Sequence, residues 1–195
     1  MKKFPCITVN LDAITQNART VNTLCNKFGI EVAGVIKFSD ANVKIAIAYL
    51  DGGCKQIAVS RASHLKKIKT ALPFANTLLL RAPMKSELQT VAKYADLSLH
   101  SELDTLIALN KTAEKLGTTP NVILMLDVGD LREGFETVDQ LIDVAMRVEN
   151  KLKNLRLDGI GTGFACLSGV LPNRESLDFL VSAKKSVEQK IGREL

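Results

Sequence analysis

The sequence has few of the features that assign a chain to a special class of protein. It has no tryptophan, 5% aromatic residues and two histidines among 195 residues. No apolar run approaches the roughly 20 residues that a membrane-spanning helix needs, so we expect no membrane partner. Residues 1–5 carry two lysines but no apolar stretch behind them. This start predicts a cytoplasmic protein without a secretory signal.

Cysteine pairs and basic patches are also missing. The four cysteines form no C-x-x-C pair, and only His64 and His100 accompany them. This spacing predicts reduced thiols and no metal site. The net charge of +5 favours anionic small ligands. The lysines at 66–69 lie on a predicted helix without interleaved aromatic residues, so we expect no nucleic-acid partner.

Short apolar runs alternate with segments of helical spacing along the chain. The run at 122–126 is continuously apolar, as expected for a buried parallel strand. After the first run, the starts are spaced by about 20 to 35 residues, the length of a βα unit. The pattern predicts strands at 7–11, 32–36, 56–59, 77–80, 97–99, 122–127 and 157–161.

The pattern favours a (β/α) barrel over an open doubly wound sheet. The sequence has no G-x-G-x-x-G or Walker turn, which the open sheet usually carries. Polar residues instead follow successive strands, as in a barrel site. These residues are Lys37, Ser60, Arg81, His100, Asp127 and Thr162. We predict an α/β fold: an incomplete parallel barrel of the TIM type with about six barrel strands, preceded by one extra N-terminal strand at 7–11.

The predicted strands are too few to close a barrel. A complete (β/α) barrel takes roughly 250 residues, and unclosed edges leave backbone groups unpaired. We therefore expect 1–195 to be an N-terminal barrel domain, truncated relative to a longer polypeptide and without a C-terminal β domain. The alternative is that another segment or subunit covers the gap.

Lys37 ends an apolar run and is predicted to project into the mouth of the barrel. Burial lowers the pKa of a lysine because it disfavours the charged form, and the neutral amine can attack a carbonyl carbon. The position favours a Schiff base with an aldehyde cofactor or substrate. The alternative is a lysine that only starts the next loop and extends into water.

Arg132 lies in a glycine-containing segment, 127–134, that follows the most apolar strand. Its guanidinium can bind a carboxylate or phosphate through two parallel hydrogen bonds. The alternative is a surface loop in which Asp130, Arg132 and Glu133 pair with one another.

Arg81 and His100 each have two interpretations. Arg81 ends a buried strand and needs a partner, either a cofactor or one of the acids Asp127 and Glu102. His100 is an acid, a base or a ring contact, or it is a hydrogen-bonded structural histidine. The turn at 159–163 would let its backbone lie against a flat ring with Thr162 as donor, or its glycines serve packing alone.

Six stretches of the sequence carry a family resemblance. They are ITVNLDAITQNA (7–18), GIEVAGVIK (29–37), LLLRAPMKSE (78–87), ADLSLHSEL (95–103), VILMLDVGDLREG (122–134) and DGIGTGFACLSGVLP (158–172). Taken in order, they resemble the N-terminal part of the alanine racemase family, and above all its ornithine-racemase-like branch. Each is weak alone, but six in family order and spacing across nearly the whole chain are specific.

The resemblance implies a pyridoxal 5'-phosphate-dependent homodimer that interconverts L- and D-amino acids by two-base proton transfer at Cα. Lys37 aligns with the lysine that holds the cofactor as an internal aldimine and acts as one of two opposed acid/base groups. Arg132 aligns with the arginine near the substrate carboxylate, and Arg81 with a strand-end arginine. Together with the strand-end pattern, this predicts Lys37 as catalytic residue, Lys37, Arg81, His100, Thr162 and Gly163 as cofactor contacts, and Arg132 and Asp127 as substrate contacts.

The sequence departs from the family at the site. Gly163 stands where relatives have a histidine or asparagine near the ring, and the loop 38–42 lacks the phosphate-binding tyrosine. The family's later strands and its second-base tyrosine lie outside this sequence, so we expect no useful racemisation by the chain alone. A non-catalytic cofactor-carrying barrel and a truncated, inactive racemase-like chain remain open as alternatives.

Overall fold

Helices and parallel strands alternate in the computed structural model, which describes residues 5–166 and 169–195. Two short 3-10 turns, Lys37–Ser39 and Lys85–Glu87, follow β1 and β3. The elements are α1 (Leu11–Asn26), β1 (Ala33–Val35), α2 (Val43–Asp51), β2 (Gln56–Val59), α3 (Ala62–Ala71), β3 (Thr77–Leu79), α4 (Leu88–Tyr94), β4 (Leu97–His100), α5 (Leu103–Leu116), β5 (Asn121–Met125), α6 (Val138–Lys151), β6 (Arg156–Gly161) and α7 (Arg174–Ile191).

The six strands form one parallel sheet in chain order, from β1 to β6. Each strand pairs in parallel with the next one. Such an order without reversal is that of a (β/α) barrel, because a doubly wound sheet reverses its strand order at a switch point. Strands β1 and β6 are the two edges, so the sheet is open. The prediction of an incomplete barrel with six barrel strands is confirmed.

The extra N-terminal strand is the part of the fold prediction that is wrong. Residues 7–10 form no strand, and Ile7 is 92% exposed. The side chain of Asn10 accepts a hydrogen bond from the Ala13 N–H (3.0 Å) and caps α1, which begins at Leu11. Satisfying the free N–H groups of the first turn in this way starts the helix where the strand was predicted to end.

Helices cover one face of the sheet. Alternate strand residues point to opposite faces, and Ile36, Ile57, Leu79 and Leu124 pack against the helices with no exposed surface. On the other face, Ala58, Leu78 and Leu97 form a small cluster with the partly buried Ala33, Val35, Leu80, Leu99 and Ile123. This second face is the one that lines the interior of a barrel.

Strand β6 carries a bulge and charged side chains at the edge of the sheet. Leu157 pairs with Val122 and Gly159 with Ile123, so Asp158 is an extra residue. Arg156 and Asp158 form an ion pair (3.7 Å). Bulges and charges are features that hinder the addition of a further strand to an edge.

All four cysteines are free thiols. Cys54 is buried, whereas Cys6 and Cys166 are exposed. Within the described ranges, no helix combines the length and the apolar character that crossing a lipid bilayer requires.

Candidate active site

The carboxyl ends of all six strands lie along one edge of the sheet, because every pair of strands is parallel. The residues that the sequence analysis placed after successive strands therefore share this edge. No group of three or more His, Cys, Asp or Glu residues at 5–166 or 169–195 is arranged to hold a metal ion.

Lys37 begins the turn directly after β1. Ile36 is fully buried and Lys37 is exposed, so the lysine side chain lies away from the helix-packed core. Its amine forms no hydrogen bond or ion pair with the described residues. The predicted burial of Lys37 is wrong for this chain, because β1 is an edge strand and no further strand lies beside it. The Lys37 amine is accessible and has no partner among the described residues.

The turn that follows Lys37 has an unusual backbone. Asp40 and Ala41 both have positive φ angles, 50° and 52°. Two side chains of α3 contact Asp40: His64 Nε2 lies 2.9 Å from its Oδ1, and Lys67 Nζ donates to its carbonyl oxygen (2.6 Å). Lys67 and then His64 hold the pKa of the Asp40 carboxyl below its usual value. These contacts could not be predicted from the sequence, since no local pattern links residues 24 or more positions apart.

A cavity of about 560 Å³ opens at the loop after β5, and Arg132 lines it. Asp127 folds this loop, because its Oδ1 accepts hydrogen bonds from the N–H groups of Gly129 (2.8 Å) and Leu131 (3.2 Å). Gly134 has φ +129°, and a Cβ there would lie 2.4 Å from the Asp127 nitrogen. The loop shape therefore requires glycine at position 134.

The side chain of Arg132 has two partners in the described chain. Its Nε lies 3.5 Å from Glu133 Oε1, and its Nη1 contacts Cys166 Sγ. Asp130 is buried and accepts a hydrogen bond from the Cys166 N–H (3.3 Å). One of the predicted surface pairs, Arg132 with Glu133, is thus present. The side chain is still 40% exposed, so part of its guanidinium is accessible.

Arg81 is held by its own loop. Its Nη2 donates to both carboxylate oxygens of Glu87 (2.6 and 2.9 Å), and its Nε donates to the Ser60 carbonyl (2.8 Å). The predicted pairing with Asp127 or Glu102 is wrong, because Glu87 lies six residues along the chain, in the turn before α4. The guanidinium joins the ends of β2 and β3.

His100 lies on the helix-covered face of the sheet, since Leu97 and Leu99 occupy the inner face. It is fully buried, and its Nε2 lies 2.9 Å from the Ser98 hydroxyl. Burial lowers the pKa of His100 to about 4, so its ring is neutral near pH 7. The predicted cofactor contact is not formed here, because no surface of the ring is accessible. His100 is the hydrogen-bonded structural histidine of the alternative interpretation.

Thr162 and Gly163 follow β6. The Thr162 hydroxyl donates to the Leu126 carbonyl (2.7 Å), so the predicted donor is already bonded to backbone. A Cβ at Gly163 would meet no heavy atom within 4 Å. The space beside this backbone is open, as a flat ring would require. The unpaired amine of Lys37 and the open space at Gly163 both fit an aldehyde cofactor with an aromatic ring.

Residues 9–194 match the family model described as alanine racemase, N-terminal domain. The chain belongs to this alanine racemase family. The family that the six sequence stretches predicted is therefore confirmed.

Curated members of the alanine racemase family resemble the chain along nearly all of its length. An ornithine racemase from Acetoanaerobium sticklandii is 36% identical over 192 residues, which are 98% of this chain and 54% of the relative. A lysine racemase from Thermotoga maritima is 30% identical over 189 residues, 97% of this chain and 52% of the relative. The chain spans about half the length of these relatives.

Solved structures show the same fold. An alanine racemase from Clostridium difficile 630, in complex with cycloserine, has a TM-score of 0.77 at 22% identity, with 96% of this chain and 53% of that chain covered. An unknown protein from Bifidobacterium adolescentis has a TM-score of 0.78 at 12% identity, with 99% of this chain and 87% of that chain covered. At these identities the likeness shows the fold alone.

Proposed function

We propose that the chain is the barrel part of a pyridoxal 5'-phosphate-dependent amino-acid racemase, an isomerase that interconverts L- and D-amino acids of the alanine or ornithine type. The observation that carries the proposal is the unpaired, exposed amine of Lys37 at the carboxyl end of β1. Relatives that are 36% and 30% identical are named ornithine racemase and lysine racemase, which supports the reaction type.

Lys37 and Gly163 are the residues that would hold the cofactor. The Lys37 amine would bind its aldehyde group, and the backbone at Gly163 leaves room for its ring. When bound, pyridoxal 5'-phosphate withdraws electrons and makes the substrate Cα–H acidic. Lys37 then accepts or returns the proton at its Nζ on one face of the substrate. A second acid/base group is required on the opposite face. Contacts from Arg81 and Thr162 remain predictions.

Arg132 would bind the substrate carboxylate. Its accessible guanidinium lines the cavity of about 560 Å³, and charge-assisted hydrogen bonds from arginine suit a carboxylate. Asp127 contributes by shaping the loop, because its carboxylate holds two loop N–H groups. The direct substrate contact of Asp127 stays a prediction.

A second candidate is a non-catalytic barrel that binds the cofactor. The structure from Bifidobacterium adolescentis, of which this chain covers 87%, shares the fold alone. The fold thus occurs in a chain of comparable length. Gly163 and Ala41, where the family pattern has other residues, fit this candidate or an inactive racemase-like chain. A homodimer, a cytoplasmic location and the domain assignment of 1–195 stay predictions.

Cofactor binding at Lys37 is tested by adding pyridoxal 5'-phosphate, reducing with borohydride and mapping the modified peptide. We expect one reducible adduct at Lys37 in the wild type and none in Lys37→Ala. Lys55→Ala removes another exposed lysine, directly before β2, and should leave the adduct unchanged. An adduct that survives in Lys37→Ala would refute the role of Lys37.

Racemase and carrier are separated by chiral chromatography of L-ornithine, L-lysine and L-alanine after incubation with the loaded protein. Conversion to the D-form, lost in Lys37→Ala, supports the racemase. Stable cofactor binding without conversion of any of the three supports the carrier.

A further inference from the structure

The turn after Lys37 is held by charged and polar side chains from a different βα unit. We infer that Asp40, His64 and Lys67, together called the turn clamp, position Lys37 for reaction with an aldehyde. The inference rests on the proposed function of Lys37. None of the three residues needs to touch cofactor or substrate, so they are positioning residues.

The backbone of the turn needs external support. Asp40 (φ 50°, ψ 42°) and Ala41 (φ 52°) are consecutive non-glycine residues in the left-handed region. This region is sterically unfavourable for residues with a Cβ and is usually visited by single residues. Such backbone persists only where surrounding contacts fix it, and it is concentrated at functional sites.

The clamp supplies those contacts from the first turns of α3. The Nε2–H group of His64 donates a hydrogen bond to Asp40 Oδ1 (2.9 Å). Lys67 Nζ donates to the Asp40 carbonyl oxygen (2.6 Å) and lies 3.3 Å from Oδ2. His64 and Lys67 are three residues apart and therefore lie on one side of the helix. The His64 side chain is 9% exposed, so it is fixed by the core behind it.

The rest of the turn transmits this fixation to Lys37. Ile36 is fully buried, and its carbonyl accepts hydrogen bonds from the N–H (3.2 Å) and hydroxyl (3.0 Å) of Ser39. Ala41 is also fully buried. Lys37 thus lies between an anchored residue and a clamped one. If Asp40 left the left-handed region, the turn would rearrange and the Lys37 backbone would move with it.

Asp40→Gly is the central variant. Glycine adopts positive φ at no steric cost, and the substitution removes the Asp40 carboxylate from the turn clamp. We expect the thermal midpoint to stay the same or rise. The borohydride-trapped adduct with pyridoxal 5'-phosphate should form about tenfold more slowly at Lys37, because a small misplacement of a reacting group lowers the rate tenfold or more. A purely structural role would leave the rate unchanged or lower rate and stability together.

His64 and Lys67 are tested with matched pairs. His64→Gln keeps an N–H donor and should restore most of the rate that His64→Leu loses. Lys67→Met should slow the reaction, whereas Lys66→Met, which removes the neighbouring exposed lysine outside the clamp, should not.

Labelling of Lys37 with acetic anhydride, quantified by mass spectrometry without cofactor, gives a second readout. If wild type forms no cofactor adduct but Asp40→Gly and His64→Leu change the labelling of Lys37 severalfold, the clamp stands and the proposed function fails. If wild type forms the adduct and neither variant changes its rate or the labelling, the clamp is overturned and the proposed function stands. Equal losses of reactivity and stability in Asp40→Gly and His64→Leu also overturn it.

Discussion

His100 is the residue whose protonation differs most clearly between the folded and unfolded chain. Its pKa is about 4 when folded against 6.5 as the ordinary value, because burial disfavours the imidazolium. Below pH 6.5 the unfolded chain binds a proton that the folded chain excludes. The stabilisation is therefore complete above pH 6.5 and is lost as the pH falls towards 4.

We predict that the free energy of unfolding falls by about 3 kcal/mol between pH 7 and pH 4 through His100 alone. Urea titrations at several pH values in this window measure it. His100→Gln keeps a partner for Ser98 but cannot titrate, so its stability should depend less on pH. An identical dependence in wild type and His100→Gln would contradict the prediction.

Gly134 is a second single position at which a substitution should clearly lower the free energy of unfolding. Gly134→Ala puts a Cβ 2.4 Å from the Asp127 nitrogen at φ +129°, so we expect a loss of about 3 kcal/mol from backbone strain and overlap together. Gly129→Ala is the control, because φ there is +112° but no atom lies within 4 Å of the new Cβ. It should cost about 1 kcal/mol, and equal urea midpoints for the two variants would be inconsistent with the overlap.

The sequence predicted which candidate residues follow the strands, but not what surrounds their side chains. Lys37 and Arg132 became candidates because each follows an apolar strand. The burial expected for Lys37 was wrong, because burial depends on how many strands surround the inner face. The partner of Arg81 was also wrong, because Glu87 is brought to it by a local turn and not across the barrel. No local sequence pattern predicts the contacts of His64 and Lys67 with Asp40.

Among the secondary-structure elements, β3 shows how the start of a strand is fixed. The fully buried Thr77 hydroxyl donates to the Tyr94 carbonyl (2.7 Å) and lies 3.0 Å from Asp96 Oδ2. These contacts join the first residue of β3 to the last residue of α4 and to Asp96, which lies between α4 and β4.

Thr77→Val keeps the side-chain shape but removes this hydroxyl, so the Tyr94 carbonyl loses its hydroxyl partner, while Asp96 keeps the Thr77 N–H and Lys69. We predict a loss of about 1 to 2 kcal/mol in the free energy of unfolding. Thr112→Val removes a hydroxyl that bonds only within α5, to Ala108 (2.9 Å), at a partly exposed position. Its effect should stay within about 0.5 kcal/mol. A smaller loss for Thr77→Val than for Thr112→Val in chemical denaturation would show that the junction is not stabilising.

The elements themselves were largely predictable. Short runs rich in Val, Ile and Leu located all six strands of the sheet, and 122–126 is continuously apolar because parallel strands are covered on both faces in the complete architecture. The exception was 7–11, where Ile7 and Val9 alternate with polar residues in a strand pattern. Periodicity alone could not show that Asn10 would cap a helix instead.

At the scale of the whole molecule, the free edge of β6 carries backbone groups that could pair with another chain. Arg156 and Asp158 are exposed on β6, the edge strand, and charges on an edge oppose pairing with another chain. We predict that the double substitution Arg156→Thr, Asp158→Thr increases self-association, measured by light scattering against protein concentration.

The matched control removes an opposite-charge pair elsewhere. Arg174 and Asp178 form an exposed ion pair on α7 (3.5 Å), away from the strand edge. The double substitution Arg174→Ser, Asp178→Ser also leaves the net charge unchanged, and this variant should scatter light like the wild type. If both double variants scatter alike, edge charges do not protect the sheet.

Cys166 contacts Arg132 and is exposed, so its thiol can carry a spectroscopic probe. With Cys6 and the partly exposed Cys25 replaced by serine, the remaining exposed thiol is Cys166, which contacts the arginine proposed to bind the substrate carboxylate. A fluorophore on Cys166 would report when an anion arrives at this loop, without any engineered cysteine. Ligand affinities could then be followed in real time even where no turnover occurs.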